Sequence, residues 1–291
     1  MAHSMQKPIP KPQSDSKASP VQLRVLTASD FSGGCGGCKS AIDDSAPHEP
    51  QPSSYVVPTA SAELLEQLAL ESQALEKATP QEILKWAVDR YAPKFTMATA
   101  FGPEGMTLIH MIAQIAPQTS IFNLDTGYQF DETLELREQI KRRYGIEVEL
   151  KRPRLTVEEY ERVNGGPVYS HDPNRCCEER KLSVLREAAI GWDAWASAIR
   201  RDQSPDRAKA PIVGWDKKFG LVKVSPLANW TKKQVWALIL KENIPYNPLH
   251  DQGYTSIGCK PCTRSVLPGE DERAGRWSGF AKKECGLHTQ D

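Results

Sequence analysis

The chain has no excess of either charge: 37 Lys and Arg are matched by 37 Asp and Glu. Bulk electrostatics therefore point to no nucleic acid and no anionic membrane as partner. No apolar run is long enough to span a bilayer. The N-terminus carries no apolar h-region, so it does not read as a secretory signal. No internal repeat is present. Residues 1–58 have few large apolar residues and no sustained period. They are rich in Pro, Ser, Lys and Gln, and are expected to form a poorly ordered extension. Cysteine is present in odd number, seven. In a chain without an export signal that favours metal binding or thiol chemistry over structural disulfides, and a reducing cytoplasm as the compartment.

The remaining sequence alternates between two periods. Order is expected from about Ser61, with Leu64, Leu65, Leu68 and Leu75 on a helical face that Leu70 does not share. Thr79-Pro80-Gln81-Glu82 is a helix start, with Thr79 as N-cap, Pro80 at the first position and Glu82 closing a capping box. That helix should reach about Tyr91 and end at Pro93. Strands are expected at Phe95–Ala100, Ser120–Leu124, Ile146–Leu150 and Ala194–Ile199. Helices are expected at Met106–Ala116, Asp131–Tyr144 and Thr231–Glu242. Such alternation implies βαβ units and a mostly parallel central sheet in an α/β domain. In such sheets ligands bind beyond the carboxyl ends of the strands, where several polar turns of this chain fall.

Cysteine placement carries most of the chemistry. Cys176 and Cys177 are adjacent, Cys259 and Cys262 form Cys-x-x-Cys, and Cys285 stands near the C-terminus. Thiolates select zinc or iron–sulfur clusters. Tetrahedral zinc sites space their ligands more widely than adjacent residues. Neighbouring thiolates point apart, which suits the separate corners of a [4Fe–4S] cluster; zinc or incidental thiols are the alternatives. Cys285 has Lys282, Lys283 and His288 nearby, which favour a nucleophilic thiolate, with an inert thiol as the bland reading. Cys35 and Cys38 sit among glycines in the extension, where a redox pair, a half metal site or an incidental pair are all open.

Several turns could hold an anion. Thr99-Ala-Phe-Gly-Pro-Glu-Gly105 is a strand-to-helix turn that aims backbone N–H groups outward. It matches neither Walker A nor G-x-G-x-x-G, and a plain βα loop is its alternative. Asp125-Thr126-Gly127 offers a carboxylate to a ribose hydroxyl, or simply caps a helix. Arg200 and Arg201 follow the fourth strand and could grip phosphate or sulfate by forked bonds. Arg273 and Arg276 lie between the cysteine pair and Cys285, where they serve either an anion or solvent.

Together these segments resemble the assimilatory sulfonucleotide reductases, specifically the adenylylsulfate reductases, from about residue 80 onward. The resemblance is carried by Leu124-Asp-Thr-Gly127, Cys176-Cys-x-x-Arg-Lys181, Arg200-Arg-Asp-Gln-Ser-Pro205, Ser256-Ile-Gly-Cys-Lys-Pro-Cys-Thr263 and Lys283-Glu-Cys-Gly-Leu-His288. It implies a Rossmann-like adenine-nucleotide α-hydrolase fold. The reductase domain would span residues 59–270, followed by a mobile catalytic segment, 271–291. It implies a [4Fe–4S] cluster on Cys176, Cys177, Cys259 and Cys262, with Lys181 beside it. It implies Cys285 as nucleophile with His288 nearby, and substrate contacts from Thr99, Gly102, Leu124, Asp125, Gly127, Arg200, Arg201, Arg273 and Arg276. The implied reaction is reduction of adenylyl sulfate to sulfite and AMP through an S-sulfocysteine, in sulfate assimilation and cysteine biosynthesis. No thioredoxin-like domain follows His288, so thioredoxin or glutaredoxin is expected as external reductant; a homo-oligomer is compatible.

The chain departs from the family where the phosphate loop usually reads Ser-x-Ser-Gly-x-Glu-Asp, and where Tyr128 follows Asp-Thr-Gly in place of the more usual Arg. Reduction of 3′-phosphoadenylyl sulfate is the near alternative. Its specialised enzymes typically lack the cluster cysteines. More distant alternatives are an ATP-pyrophosphatase of the same fold, which would need a Ser-Gly-Gly-x-Asp-Ser loop, and a zinc-stabilised binding module.

Overall fold

The computed structural model describes residues 56–282. The expectations for the N-terminal extension and for Cys35, Cys38, Cys285 and His288 lie outside the described residues. Helix α1 (Ala62–Ala74) starts at Ser61, whose hydroxyl accepts from the Leu64 amide at 3.2 Å. It buries Leu68 and leaves Leu70 exposed. Helix α2 (Pro80–Tyr91) has the full capping box, with Thr79 and Glu82 each accepting from the other's backbone N–H. Such a cap contributes about 1 kcal/mol.

The alternation then follows as β1 (Phe95–Thr99), α3 (Pro103–Ile115), β2 (Ser120–Leu124), α4 (Asp131–Tyr144) and β3 (Glu149–Lys151). Helix α3 begins three residues before the expected Met106, because Pro103 is preset for the first helical position. Strand β3 lies later than its apolar run, since Ile146 and Val148 are buried before pairing begins. Next come α5 (Val157–Asn164), α6 (Pro173–Cys177), a π turn (Glu178–Leu182), α7 (Ser183–Ala189) and β4 (Ala194–Ala196). Strands β5 (Val213–Asp216) and β6 (Leu221–Val224) and helix α8 (Lys232–Lys241) follow.

The sheet has six strands in the order β3-β2-β1-β4-β6-β5, parallel throughout except for the β5–β6 pair. After β3 the chain returns to the other side of β1 to lay down β4. The carboxyl ends of β1 and β4 therefore form the switch point where such sheets open a cleft. The main core joins Met97 of β1 to Ile109 and Ile112 of α3, Leu136 and Ile140 of α4, and Val235 and Ile239 of α8. Ser72 of α1 accepts from the Ile212 and Val213 amides, which ties that helix to the edge strand β5. Among the described residues no helix is long and apolar enough to cross a membrane.

Candidate active site

A cavity of about 540 Å³ opens at that switch point. Thr99 and Gly102 line it from the end of β1, Leu124 from β2 and Arg200 from the turn after β4. Lys181, Arg273 and Arg276 complete it. These seven residues, all expected from the sequence, meet in one place.

The β1–α3 turn is shaped by its departures. Phe101 is buried with φ of 56°, a left-handed backbone that large side chains seldom adopt. Its N–H donates to the Thr99 hydroxyl at 3.0 Å. A Cβ on Gly105 would lie 2.7 Å from that hydroxyl oxygen, so the threonine at one end of the loop demands glycine at the other. Gly102 caps α3 without a side chain, which leaves its first turn to face the cavity. Glu104 in that turn accepts from Arg200 Nε at 2.9 Å, and Asp202 pairs with the same guanidinium. Arg200 is buried between these carboxylates.

Other expected contacts face elsewhere. Asp125 is buried, accepting from the Gly127 N–H at 3.0 Å and pairing with Arg152 at 2.8 Å. Gly127 has φ of 79°, and a Cβ there would meet Val157 at 2.6 Å. Both shape the turn after β2 and neither lines the cavity. Arg201 turns away to Glu76, Asn229 and the Ala210 carbonyl. The paired arginines diverge because adjacent residues leave the β4 turn on opposite sides.

Cys176, Cys177, Cys259 and Cys262 line a second cavity, of about 40 Å³, and no disulfide joins them. The α6 helix that presents the first two is started by Asp172, whose carboxylate accepts from the Asn174 and Arg175 amides. The Cys259–Cys262 turn is held by the Lys260 N–H on the Tyr128 carbonyl at 2.7 Å and by the Trp277 N–H on the Cys262 carbonyl at 3.0 Å. Thr126 Oγ1 lies 3.2 Å from Cys259 Sγ. Burial pushes the Cys176 thiol up to about 12, and the neighbouring sulfurs of Cys177, Cys259 and Cys262 add to it. Burial and the Cys259 and Cys177 sulfurs likewise push Cys262 up to about 11, against Arg276 and Lys282. A metal centre that bound these thiols would displace their protons. Among the described residues no three metal-binding side chains surround a single ion position. Four sulfurs around one cavity, two from consecutive residues, suit a body with several metal corners better than one ion.

Thr126, Lys181, Gly258, Cys259 and Arg276 border both cavities, so the two share a wall. A Cβ on Gly258 would come within 2.2 Å of Arg276 Nη2, so the guanidinium lies directly against that glycine. Arg276 also stacks 4.3 Å from the Trp277 ring centroid, and Arg273 and Arg276 both approach the Ser256 hydroxyl at 3.5 Å. Sequence reasoning missed several lining groups. Lys232 pairs with Glu272 at 2.6 Å, and both residues line the nucleotide-sized cavity. Trp195 Nε1, Ser197 Oγ and His250 Nε2 are buried polar atoms of its lining with no hydrogen-bond partner among the described residues. Buried polar atoms are rarely left so, and here a polar ligand or ordered water would satisfy them. Only Ser197, three residues past the expected strand start at Ala194, could have been suspected from sequence.

The chain is similar to known proteins. An adenosine 5′-phosphosulfate reductase of Halalkalibacterium halodurans is 44% identical over 218 residues, 75% of this chain and 94% of the relative. A phosphoadenosine 5′-phosphosulfate reductase of Gloeobacter violaceus is 42% identical over 217 residues, 74% and 90% of the two chains. The crystal structure of phosphoadenylyl-sulfate reductase from Candida auris, in a phosphate complex, superposes with a TM-score of 0.62 at 27% identity, covering 72% of this chain and 98% of that one. It shares the adenine-nucleotide α-hydrolase fold. Residues 94–265 match the phosphoadenosine phosphosulfate reductase domain. With that match across strand, turn and cysteine segments alike, the chain belongs to the phosphoadenosine phosphosulfate reductase family.

Proposed function

We propose that the protein reduces adenylyl sulfate to sulfite and AMP, with Cys285 as nucleophile and a [4Fe–4S] cluster on Cys176, Cys177, Cys259 and Cys262. The observation that carries this reading is the shared wall: a cationic, nucleotide-sized cavity abuts four converging thiols through Lys181 and Arg276. Thr99, Gly102, Leu124, Arg200, Arg273 and Arg276 hold the nucleotide and its sulfate. Asp125, Gly127 and Arg201 support the turns behind them. When bound, the cluster supplies fixed charge beside Lys181 rather than electrons. The cations lower the repulsion between a thiolate and a sulfate.

The Cys285 thiolate attacks the sulfate sulfur, the bond from that sulfur to the bridging oxygen breaks, and AMP leaves with the electron pair. His288, three residues on, assists the thiolate. A thiolate of thioredoxin or glutaredoxin then attacks the Cys285 sulfur and expels sulfite, leaving a mixed disulfide that the reductant's second thiol resolves. The reaction is assigned to the cytoplasm. Lys282 Nζ donates to the Pro173 carbonyl at 3.0 Å, at the start of the helix that carries the cysteine pair.

The Gloeobacter relative's name supports a second reading, reduction of 3′-phosphoadenylyl sulfate. Sulfite release with thioredoxin, measured on both nucleotides, decides between them. Faster turnover of adenylyl sulfate is expected. Preference for the 3′-phosphorylated substrate reverses the assignment, and release from neither rejects the activity.

A further inference from the structure

We propose that Arg180 is a positioning residue that couples the thiol cavity to the nucleotide cavity, serving as the buried counter-charge of the thiolate centre and as the clip of the turn after β2. The proposal rests on the iron–sulfur reading given above.

The π turn places this residue. Helix α6 ends on Cys177, and Glu178–Leu182 winds as a π turn before α7 resumes. Such a turn takes in one residue more than an α-helical turn and recurs at functional sites. Here it puts Arg180 inward, 3% exposed, while its neighbour Lys181 borders both cavities.

Arg180 is unusually placed for a cation. Its Nε donates to the Thr126 carbonyl at 2.8 Å, and Nη1 reaches the Leu155 and Thr156 carbonyls at 3.2 and 3.4 Å. Its guanidinium lies 4.9 Å from the Tyr160 ring centroid and 5.4 Å from that of Tyr128. A Cβ on Gly127 would come within 3.2 Å of Nη2, so the turn is closed down on it. Among the described residues no carboxylate forms an ion pair with it, although both tyrosines donate to glutamates, Glu161 and Glu179. A buried guanidinium without counter-charge is costly. Arg180 lines the same small cavity as Cys176, Cys177, Cys259 and Cys262. Four metal-bound thiolates would supply the missing negative charge. The residue it clips, Thr126, borders both cavities and touches Cys259. Filling of one cavity and the shape of the other thus meet in one side chain.

Arg180→Lys keeps the charge and loses the fork; Arg180→Gln loses both. Full-length chains are purified anaerobically, and three quantities are read: iron and sulfide per chain, the cluster's midpoint potential, and AMP affinity by calorimetry. A nearby cation favours the more reduced centre. The potential should therefore move negative in Arg180→Gln, with loss of iron, and stay near native in Arg180→Lys. AMP affinity should fall about tenfold in both, since neither reproduces the bonds to three carbonyls. Tyr160→Leu, which removes one stacking face and leaves the guanidinium's charge, should weaken AMP binding with the potential near native, and serves to test the clip if Arg180→Gln does not fold. Native potential and native AMP affinity in Arg180→Gln, or native AMP affinity in Tyr160→Leu where that variant replaces it, overturn the proposal. Equal changes of all three quantities in the Lys and Gln variants do so too, because a merely structural residue would give that pattern. A native chain without iron or sulfide overturns the cluster reading, and the counter-charge half falls with it, while AMP affinity still tests the clip.

Discussion

Gly258→Ala probes the wall between the two cavities with one methyl group. The new Cβ would lie 2.2 Å from Arg276 Nη2, 2.5 Å from Cζ and 3.0 Å from Nε. Contacts that short do not persist, and the guanidinium is the part free to give way. It would leave its place beside the shared wall and its stack on Trp277 at 4.3 Å. The backbone has little reason to move, because Gly258 does not use a left-handed conformation. Stability should therefore change by less than about 1 kcal/mol, the range for substitutions that leave the core intact. Binding should change more. A hydrogen bond to a charged group contributes about 1.5–3 kcal/mol, so adenylyl sulfate should bind ~10- to 150-fold more weakly. The assay is calorimetric titration of adenylyl sulfate into the Cys285→Ser background, which prevents turnover. Arg276→Ala should cost a similar amount, and the double variant little more than either, because both changes remove one interaction. Undiminished affinity in Gly258→Ala, or fully additive losses in the double variant, would refute the placement of Arg276 at the substrate.

Two further outcomes follow from the geometry. Gly105→Ala should lower the melting temperature, since its methyl meets the Thr99 hydroxyl at 2.7 Å and breaks the bond from the Phe101 N–H; the cost of about 1–3 kcal/mol should shrink when Thr99 is also changed to Ala. His250 has its pKa lowered, chiefly by burial, so the unfolded chain takes up a proton below about pH 6.5 that the folded chain resists. Its contribution to stability is present above that pH and is lost as pH falls, and urea midpoints from pH 8 to 5 should drop less steeply in His250→Asn; an unchanged slope would remove His250 from the account.

The fold was readable where local rules agree with burial. The Thr79 capping box, the β1–α3 and β2–α4 alternation and the start of α8 all follow from caps and apolar spacing. The β5–β6 hairpin was not seen, because Val213-Gly-Trp-Asp216 carries no clear alternation and is fixed instead by Ser72, more than a hundred residues earlier in the chain. The site divides the same way. Cysteines and arginines announce their chemistry by type and spacing, so their convergence could be expected. Arg201 and Asp125 could not be separated from Arg200 and Leu124 by sequence, because a one-residue step decides whether a side chain meets the cavity or the protein interior. Arg180 was hidden for a related reason: its role depends on a π turn that no residue in Glu178–Leu182 signals.

The central claim is that Cys285 takes the sulfo group from adenylyl sulfate. It is tested most directly by single-turnover mass spectrometry of the anaerobically purified chain, mixed with adenylyl sulfate and no reductant. The account predicts one sulfo group on Cys285, an equal amount of AMP, and release of that group as sulfite when thioredoxin is added. AMP formed with Cys285 unmodified, or the adduct appearing unchanged in Cys285→Ser, would contradict it.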